Sequence, residues 1–191
     1  MRHSLPALSI ALSLGIASAA DAVKYDYRVL ATKKTSTLEK EMNEAADAGY
    51  RFSAVMGGET GFGGSEGVVL MAKRIGGGSS GKVTYKLLAT SRTGTMHKEI
   101  QQAGDEGFDY RGQTVFASAF GGREVCVILE RNSANGAQRF QYRLLATSRT
   151  STMQKELQEA GEQGYEFLGM TVGKTAMGGS EVVCFLRRVA E

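Results

Sequence analysis

The chain is poor in the residues that build metal sites and disulfide frameworks. Its 191 residues include two cysteines, Cys126 and Cys184, and two histidines. So few thiol and imidazole groups argue against a metal site built from soft ligands. We therefore expect the protein to carry no metal and no cofactor.

The sequence also lacks runs of charge of one sign. Lys and Arg number 23 against 20 Asp and Glu, which leaves a net charge of +3. A balanced chain without a basic cluster offers no electrostatic footprint for nucleic acid and no polybasic patch for anionic membranes. We expect no nucleic acid partner. The expected partner is an unknown protein or a small anionic ligand.

A long apolar segment is absent except near the N-terminus. Arg2 and His3 precede an apolar stretch at residues 5–16 and small residues at 17–20, the order typical of a secretory signal peptide. The stretch is shorter than the ~20 apolar residues that a membrane-spanning helix needs. We expect residues 1–20 to be removed on export. The mature protein should then be periplasmic or secreted, without membrane insertion.

Proline is nearly absent, whereas glycine is abundant. The one proline, Pro6, lies in the leader, and the 25 glycines fall at regular positions. The regularity comes from a repeat, because the segments at residues 27–32, 85–90 and 142–147 superimpose together with the sequence that follows each of them. The predicted organisation is a signal peptide at 1–20, repeat 1 at 24–75, a Gly/Ser linker at 76–81, repeat 2 at 82–131, a linker at 132–137 and repeat 3 at 138–191.

Each repeat predicts a β-α-β-β unit. An apolar strand leads into a helix whose apolar residues form one stripe, as Leu38 and Met42 do in the first copy. A threonine is placed to cap each helix start, and a glycine is placed to end each helix in a left-handed conformation. The expected caps are Thr37, Thr95 and Thr152, and the expected stops are Gly49, Gly107 and Gly164.

The third strand of each unit is apolar on both of its faces, at residues 68–71, 125–129 and 182–186. A strand buried on both faces belongs in the middle of its sheet. The predicted fold class is therefore α+β, with three units that each form an antiparallel three-stranded sheet of order 1-3-2 with one helix. We expect the units to pack as a pseudo-threefold compact domain, with an open array as the alternative. In this alignment Cys126 and Cys184 point to opposite faces of equivalent strands, which favours two buried free thiols over a disulfide.

One sequence pattern is similar to a known family. The helix motif Met-x-Lys-Glu-Leu is followed by Glu-Gln-Gly-Tyr-Glu-Phe, a turn and a strand that ends in Arg-Arg. Each copy resembles the short bacterial family numbered 4177 among the domains of unknown function, although Tyr50, Phe108 and Tyr165 replace its usual tryptophan. The resemblance implies the fold and implies no activity.

The loop before each helix is the strongest candidate for binding. It combines a cation, hydroxyl groups and helix N-terminal amides, which together can hold an anion. The candidate residues are Lys34, Thr35, Arg92, Thr93, Arg149 and Thr150. Three such loops would suit a ligand with several negative charges. The alternative is that each helix is capped and each cation simply solvated.

Other polar residues give weaker signals. If the units met on a threefold axis, Glu66, Glu124 and Glu181 could bind a hard cation such as calcium. The simpler interpretation is a charged residue at the start of an apolar strand. His97 is the only histidine after the leader, and no nucleophile accompanies it at a useful spacing, so no catalytic residue is predicted.

The predicted function is a non-catalytic exported module that binds or scaffolds. Repeats present the same surface three times, whereas an enzyme needs one asymmetric cluster of reactive groups. Two alternatives stay open. One is a periplasmic hydrolase with carboxylates at clefts between repeats, and the other is a protein that stores or transports a small ligand.

Overall fold

Three β-α-β-β units follow one another in the order of the repeats. The computed structural model describes residues 22–61, 64–78, 81–90, 92–117, 123–174 and 179–190. The predicted signal peptide at 1–20 and residues 79–80 of the predicted linker lie outside the described residues. Within the described ranges, no helix has the length and apolar character needed to cross a membrane.

The elements of the three units match one for one. Unit 1 contains β1 (Tyr25–Thr32), α1 (Thr35–Asp47), β2 (Arg51–Thr60) and β3 (Gly64–Arg74). Unit 2 contains β4 (Val83–Thr90), α2 (Thr93–Asp105), β5 (Asp109–Ala117) and β6 (Arg123–Asn132). Unit 3 contains β7 (Phe140–Thr147), α3 (Thr150–Glu162), β8 (Glu166–Lys174) and β9 (Ser180–Val189). A short 3-10 helix, Ser133–Asn135, follows β6.

In each unit the third strand lies between the first and the second and runs antiparallel to both. The predicted order 1-3-2 is therefore confirmed. The cause is the apolar character of the third strand on both faces, since Val69 and Met71 of β3 are fully buried, as are Val127, Ile128 and Leu129 of β6.

Helices α1 and α2 bury the predicted stripe, α3 leaves Leu157 of its stripe half-buried, and all three stop at the predicted glycines. Leu38, Met42 and Ala45 have no exposed surface in α1. The chain turns back toward the sheet at a residue with positive φ, which is 90° at Gly49 and 85° at Gly107. Residues with a Cβ rarely adopt this backbone conformation.

Each second strand carries a β-bulge at the same position. The register shifts between Phe52 and Ala54, between Tyr110 and Gly112, and between Phe167 and Gly169. One extra residue on one strand changes which face the following side chains reach. In unit 1, Phe52 and Val55 both pack against the core shared with unit 2.

The units form a row. Helix α1 packs on β4 of the next unit and α2 packs on β7, while β2 contacts β5 and β5 contacts β8. In the described part of the chain, every extensive contact between units joins neighbours. The units therefore form the open array, and the pseudo-threefold packing expected from the sequence is not formed. Because each helix covers the first strand of the next unit, β1 of unit 1 and α3 of unit 3 have no such partner in the described part of the chain.

The hydrophobic cores lie between units as well as inside them. One core combines Leu38 and Met42 of unit 1 with Tyr85 and Ile128 of unit 2. A second core combines the equivalent residues of units 2 and 3 in the same way. The third core contains residues of unit 3 alone and is the smallest. Each sheet after the first is thus covered on both faces.

Candidate functional site

The candidate anion-binding residues lie where the first strand of each unit turns into its helix. Lys34, Arg92 and Arg149 occupy the residue before the helix with an extended backbone, and their side chains make no capping hydrogen bond. The threonine that follows each of them begins the helix. A helix start without a capping side chain leaves amide donors and the positive end of the helix dipole available to a ligand. We call these three positions the helix starts.

The predicted capping threonines are wrong, because each helix begins three residues earlier than expected, with its cap at Lys34, Arg92 or Arg149. Thr37, Thr95 and Thr152 lie inside the first helical turn. The turn before the helix is held by the last threonine of the strand. The Lys34 N–H donates to Thr32 Oγ1 at 3.2 Å, and the equivalent bonds are Arg92 to Thr90 at 3.2 Å and Arg149 to Thr147 at 3.1 Å. This bond between a hydroxyl and the amide two residues on is a common turn-forming contact.

The start of α2 opens into a pocket of about 480 Å³ that unit 3 helps to form. Its walls are Arg92, Thr93, Gly94, Thr95, Lys98, Glu99 and Glu181. The Thr93 hydroxyl donates a hydrogen bond of 2.7 Å to Glu181 Oε1. The structure therefore brings together Arg92, Thr93 and Glu181, which the sequence assigned to two separate candidate sites. The sequence carries no signal for this contact, because it depends on how the units pack.

The middle helix start differs chemically from the last one. Glu181 places a negative charge at the positive end of α2, which is favourable for that carboxylate, and it occupies the Thr93 hydroxyl that an external anion would use. At the start of α3, Arg149 and Thr150 are exposed. The last start is thus open to a ligand, and the middle one already holds a carboxylate.

The three glutamates proposed as a weak cation site do not converge. Glu66, Glu124 and Glu181 are half-buried near the beginning of β3, β6 and β9, one in each unit of the row. Among the described residues, no group of three or more His, Cys, Asp and Glu side chains could hold a metal ion. Without a threefold axis there is no point at which the three carboxylates can meet.

Charged residues at the two junctions between units were missed by the sequence reasoning. At the first junction, Arg111 Nη2 lies 2.7 Å from Glu130 Oε1, and Arg51 lines the same pocket. At the second, Arg187 pairs with Asp109 across the two units. Asp109 is the repeat equivalent of Arg51, and Arg187 is the equivalent of Glu130. At both positions the charge thus changes sign from one repeat to the next. This change is the sequence signal that could have identified these residues.

Both cysteines are free and buried, as predicted. Loss of solvation raises the pKa of the Cys126 thiol to about 12, helped by the negative charges of Glu124 and Glu39. Burial also raises the pKa of Cys184. A thiol that stays protonated at neutral pH is a poor nucleophile. His97 is exposed on α2.

Comparisons of the chain with models of protein families, with curated sequences and with solved structures gave no significant match. The resemblance to the family numbered 4177 stays a prediction.

Proposed function

We propose that the protein is a non-catalytic binding or scaffolding module that works in the periplasm or outside the cell. The observation that carries the proposal is one polar feature presented three times along a row, a helix start with a cation and no capping side chain. Such a surface suits an extended or multiply charged ligand better than it suits one reacting bond. Its export rests on the leader at residues 1–20.

The ligand class that fits the helix starts is a polyanion. Each start offers a cationic side chain and amide donors at the positive end of a helix, the combination that binds phosphate and carboxylate groups. A ligand that contacts several helix starts at once binds with a higher overall affinity than any single start provides. Because Glu181 already occupies Thr93, we expect Arg149 and Lys34 to contribute more than Arg92.

The buried tyrosines are poor candidates for acid–base catalysis. Burial raises the pKa of Tyr85, Tyr110 and Tyr142 well above the usual tyrosine range. General acid–base catalysis needs a group whose pKa lies near the working pH. These hydroxyls stay neutral and serve as hydrogen-bond partners inside the junctions, as when Tyr85 Oη accepts from the Phe52 N–H at 2.7 Å.

The test is the binding of inorganic polyphosphate to the full-length chain and to the triple variant Lys34→Ala, Arg92→Ala, Arg149→Ala, measured by calorimetry. We expect the variant to lose affinity at least about tenfold, since it removes one charged contact at each of three linked sites. Failure of the unaltered chain to bind would remove the anionic ligand from the proposal.

A matched control separates a specific site from general attraction. Lys24, Lys82 and Arg139 are exposed repeat equivalents just before the first strand of each unit, at the opposite end of that strand from the helix starts. Their triple alanine variant removes the same charge. An equal loss of affinity in both triple variants would show non-specific electrostatic binding and contradict the proposed site.

A hydrolase is the second candidate, favoured by one observation. Glu99 and Glu181 line the same pocket between units 2 and 3. Most glycoside hydrolases use a pair of carboxyl groups for catalysis. Turnover of chromogenic glycosides that disappears in both Glu99→Gln and Glu181→Gln would favour this candidate over a binding module.

A further inference from the structure

Exposed apolar side chains, within the part of the chain that the structure describes, lie at the two ends of the row. Among the described residues, the large apolar side chains that remain exposed belong to units 1 and 3, and unit 2 has none. On unit 1 the group includes Tyr25, Tyr27 and Val29 of β1, and on unit 3 it includes Phe167 and Met170 of β8. A contiguous apolar surface of this kind marks an interaction site.

The exposed strand β1 is the repeat equivalent of two buried strands. Tyr27 is 58% exposed, whereas its equivalents Tyr85 and Tyr142 are 2% and 3% exposed. Tyr85 is covered by α1 of the unit before it, and Tyr142 is covered by α2. Strand β1 has the same place in its unit as β4 and β7, but no helix of the described residues covers its outer face as α1 and α2 cover theirs.

A side-chain amide on the covering helix holds the edge of each buried strand. Asn43 of α1 accepts from the Tyr85 N–H and donates to the Tyr85 carbonyl, both at 2.9 Å. Gln101 of α2 accepts from the Tyr142 N–H at 2.8 Å and donates to the Phe140 carbonyl at 3.2 Å. The third helix carries an amide at the same position, Gln158, which is exposed.

The second strands provide a separate line of contact. A Cβ added to Gly112 of β5 would lie 3.2 Å from both Phe52 and Val55 of β2, so these side chains rest directly on the glycine. Gly169 of β8 receives Tyr110 and Gln113 of β5 in the same way. By this pattern Phe167 and Met170 should rest on the next unit in line. The residue equivalent to Gly112 in unit 1 is small and exposed, Ala54.

We propose that the occupant of these end surfaces is a second copy of this chain, docked head to tail. The donor face is formed by Gln158, Gly161, Phe167 and Met170. The acceptor face is formed by Tyr25, Tyr27, Val29 and Ala54. The donor face of one copy covers the acceptor face of the next, and the contacts between copies continue those that join units inside the chain. A second copy is the occupant because both faces complete an interface that the chain already makes twice.

The interface is heterologous, since the two contacting surfaces are different. Copies joined in this way form a closed ring if the rotation from one to the next closes, and a filament if it does not. In either case each copy offers one donor face and one acceptor face, so that blocking either face ends the assembly.

The first test uses sedimentation velocity to measure how the molecular mass of the full-length chain in solution depends on protein concentration. We expect oligomers for the unaltered protein and a rise of at least about tenfold in the apparent dissociation constant for Gly161→Arg, because a bulky charge then occupies the donor face. A Cβ at Gly161 meets no atom within 4 Å in the single chain, so the fold should persist. Gly94→Arg is the matched control, since Gly94 is equally open and lies on another helix.

The second test mixes two blocked variants. Gly161→Arg keeps its acceptor face and Tyr27→Arg keeps its donor face, so an equal mixture should form one-to-one dimers and nothing larger. Far-ultraviolet circular dichroism checks that both variants are folded. The proposal is overturned if the mixture stays monomeric, or if either variant assembles as the unaltered chain does. A monomer in which Tyr27 resists chemical labelling would show instead that another segment of the same chain covers β1.

Discussion

Helices α2 and α3 have the same length of 13 residues and the same position in their units, yet only one of them is covered on both sides. In α2 the residues Met96, Ile100, Ala103 and Gly104 are buried. In α3 only Met153 and Ala160 reach that state, within the described side chains. The difference is the presence of a following unit. A helix in this protein is therefore buried by the following unit as much as by the sheet of its own unit.

Stability should accordingly be uneven along the row. A segment with fewer buried apolar contacts opens at a lower free energy than the rest of the fold. Unit 3 has the smallest core, and its helix is covered on one side only. We expect local unfolding of a single chain to begin at α3.

The largest expected contrast is between equivalent core residues of the two helices. Ile100 is fully buried between units 2 and 3, and Leu157 is half-buried. Ile100→Ala should lower the free energy of unfolding by about 2–5 kcal/mol through lost burial and a residual cavity, and Leu157→Ala by about half of that. Chemical denaturation followed by circular dichroism measures both. Equal losses would mean that the neighbouring unit adds nothing to the burial of α2.

A smaller contrast, with opposite signs, is expected at equivalent glycines. A Cβ at Gly104 would lie 2.5 Å from the Phe140 carbonyl oxygen, whereas a Cβ at Gly161 would have open space. Gly104→Ala should destabilise the chain by about 1–3 kcal/mol, because the second junction must widen. Gly161→Ala should stabilise it by ~0.5–1 kcal/mol, because alanine has the higher helix propensity. Thermal unfolding at a concentration where the chain is monomeric would compare the two, and a common sign would contradict the packing described at the second junction.

The smallest contrast concerns the two thiols, which are both fully buried. Cys126 belongs to the core between units 1 and 2, whereas Cys184 lies beneath α3 in the core of unit 3. Opening of α3 should therefore expose Cys184 first, with labelling by a thiol reagent about tenfold faster, a difference of ~1.4 kcal/mol in opening free energy. Cys126→Val and Cys184→Val isolate each thiol, and valine is the residue at the equivalent positions 183 and 127. Similar rates for the two single-thiol variants would argue against early opening of α3.

The sequence was sufficient for the fold inside each unit. The central position of the third strand followed from residues such as Val69 and Met71, whose neighbours are apolar on both faces, and the helix ends followed from Gly49 and its equivalents. These are local patterns, and local physics decides them. The predicted helix caps were three residues too late, because Thr32 and Thr37 are equally good hydroxyl groups, and the sequence does not show which of them the backbone uses.

The arrangement of units was less accessible to sequence reasoning. The apolar outer face of β4 requires cover from another unit, but a closed trimer and a row satisfy that need equally well. The bond between Thr93 and Glu181 joins residues of different units and exists only in the row. The sequence thus named the cations at the helix starts as candidates, but it assigned Glu181 to a separate candidate site and did not predict its contact with Thr93.

The exchange of charge between the two junctions has a consequence for the order of the units. Arg51 of unit 1 lines one pocket with Glu130 of unit 2, which pairs with Arg111, and Asp109 of unit 2 pairs with Arg187 of unit 3. If unit 1 docked on unit 3, Arg51 would face Arg187, and if unit 2 docked on a foreign unit 2, Asp109 would face Glu130. Both wrong pairings place like charges together in a partly desolvated contact, which disfavours them. Units that share one fold risk exchanging partners while the chain folds, and we expect these charges to disfavour the wrong order of units.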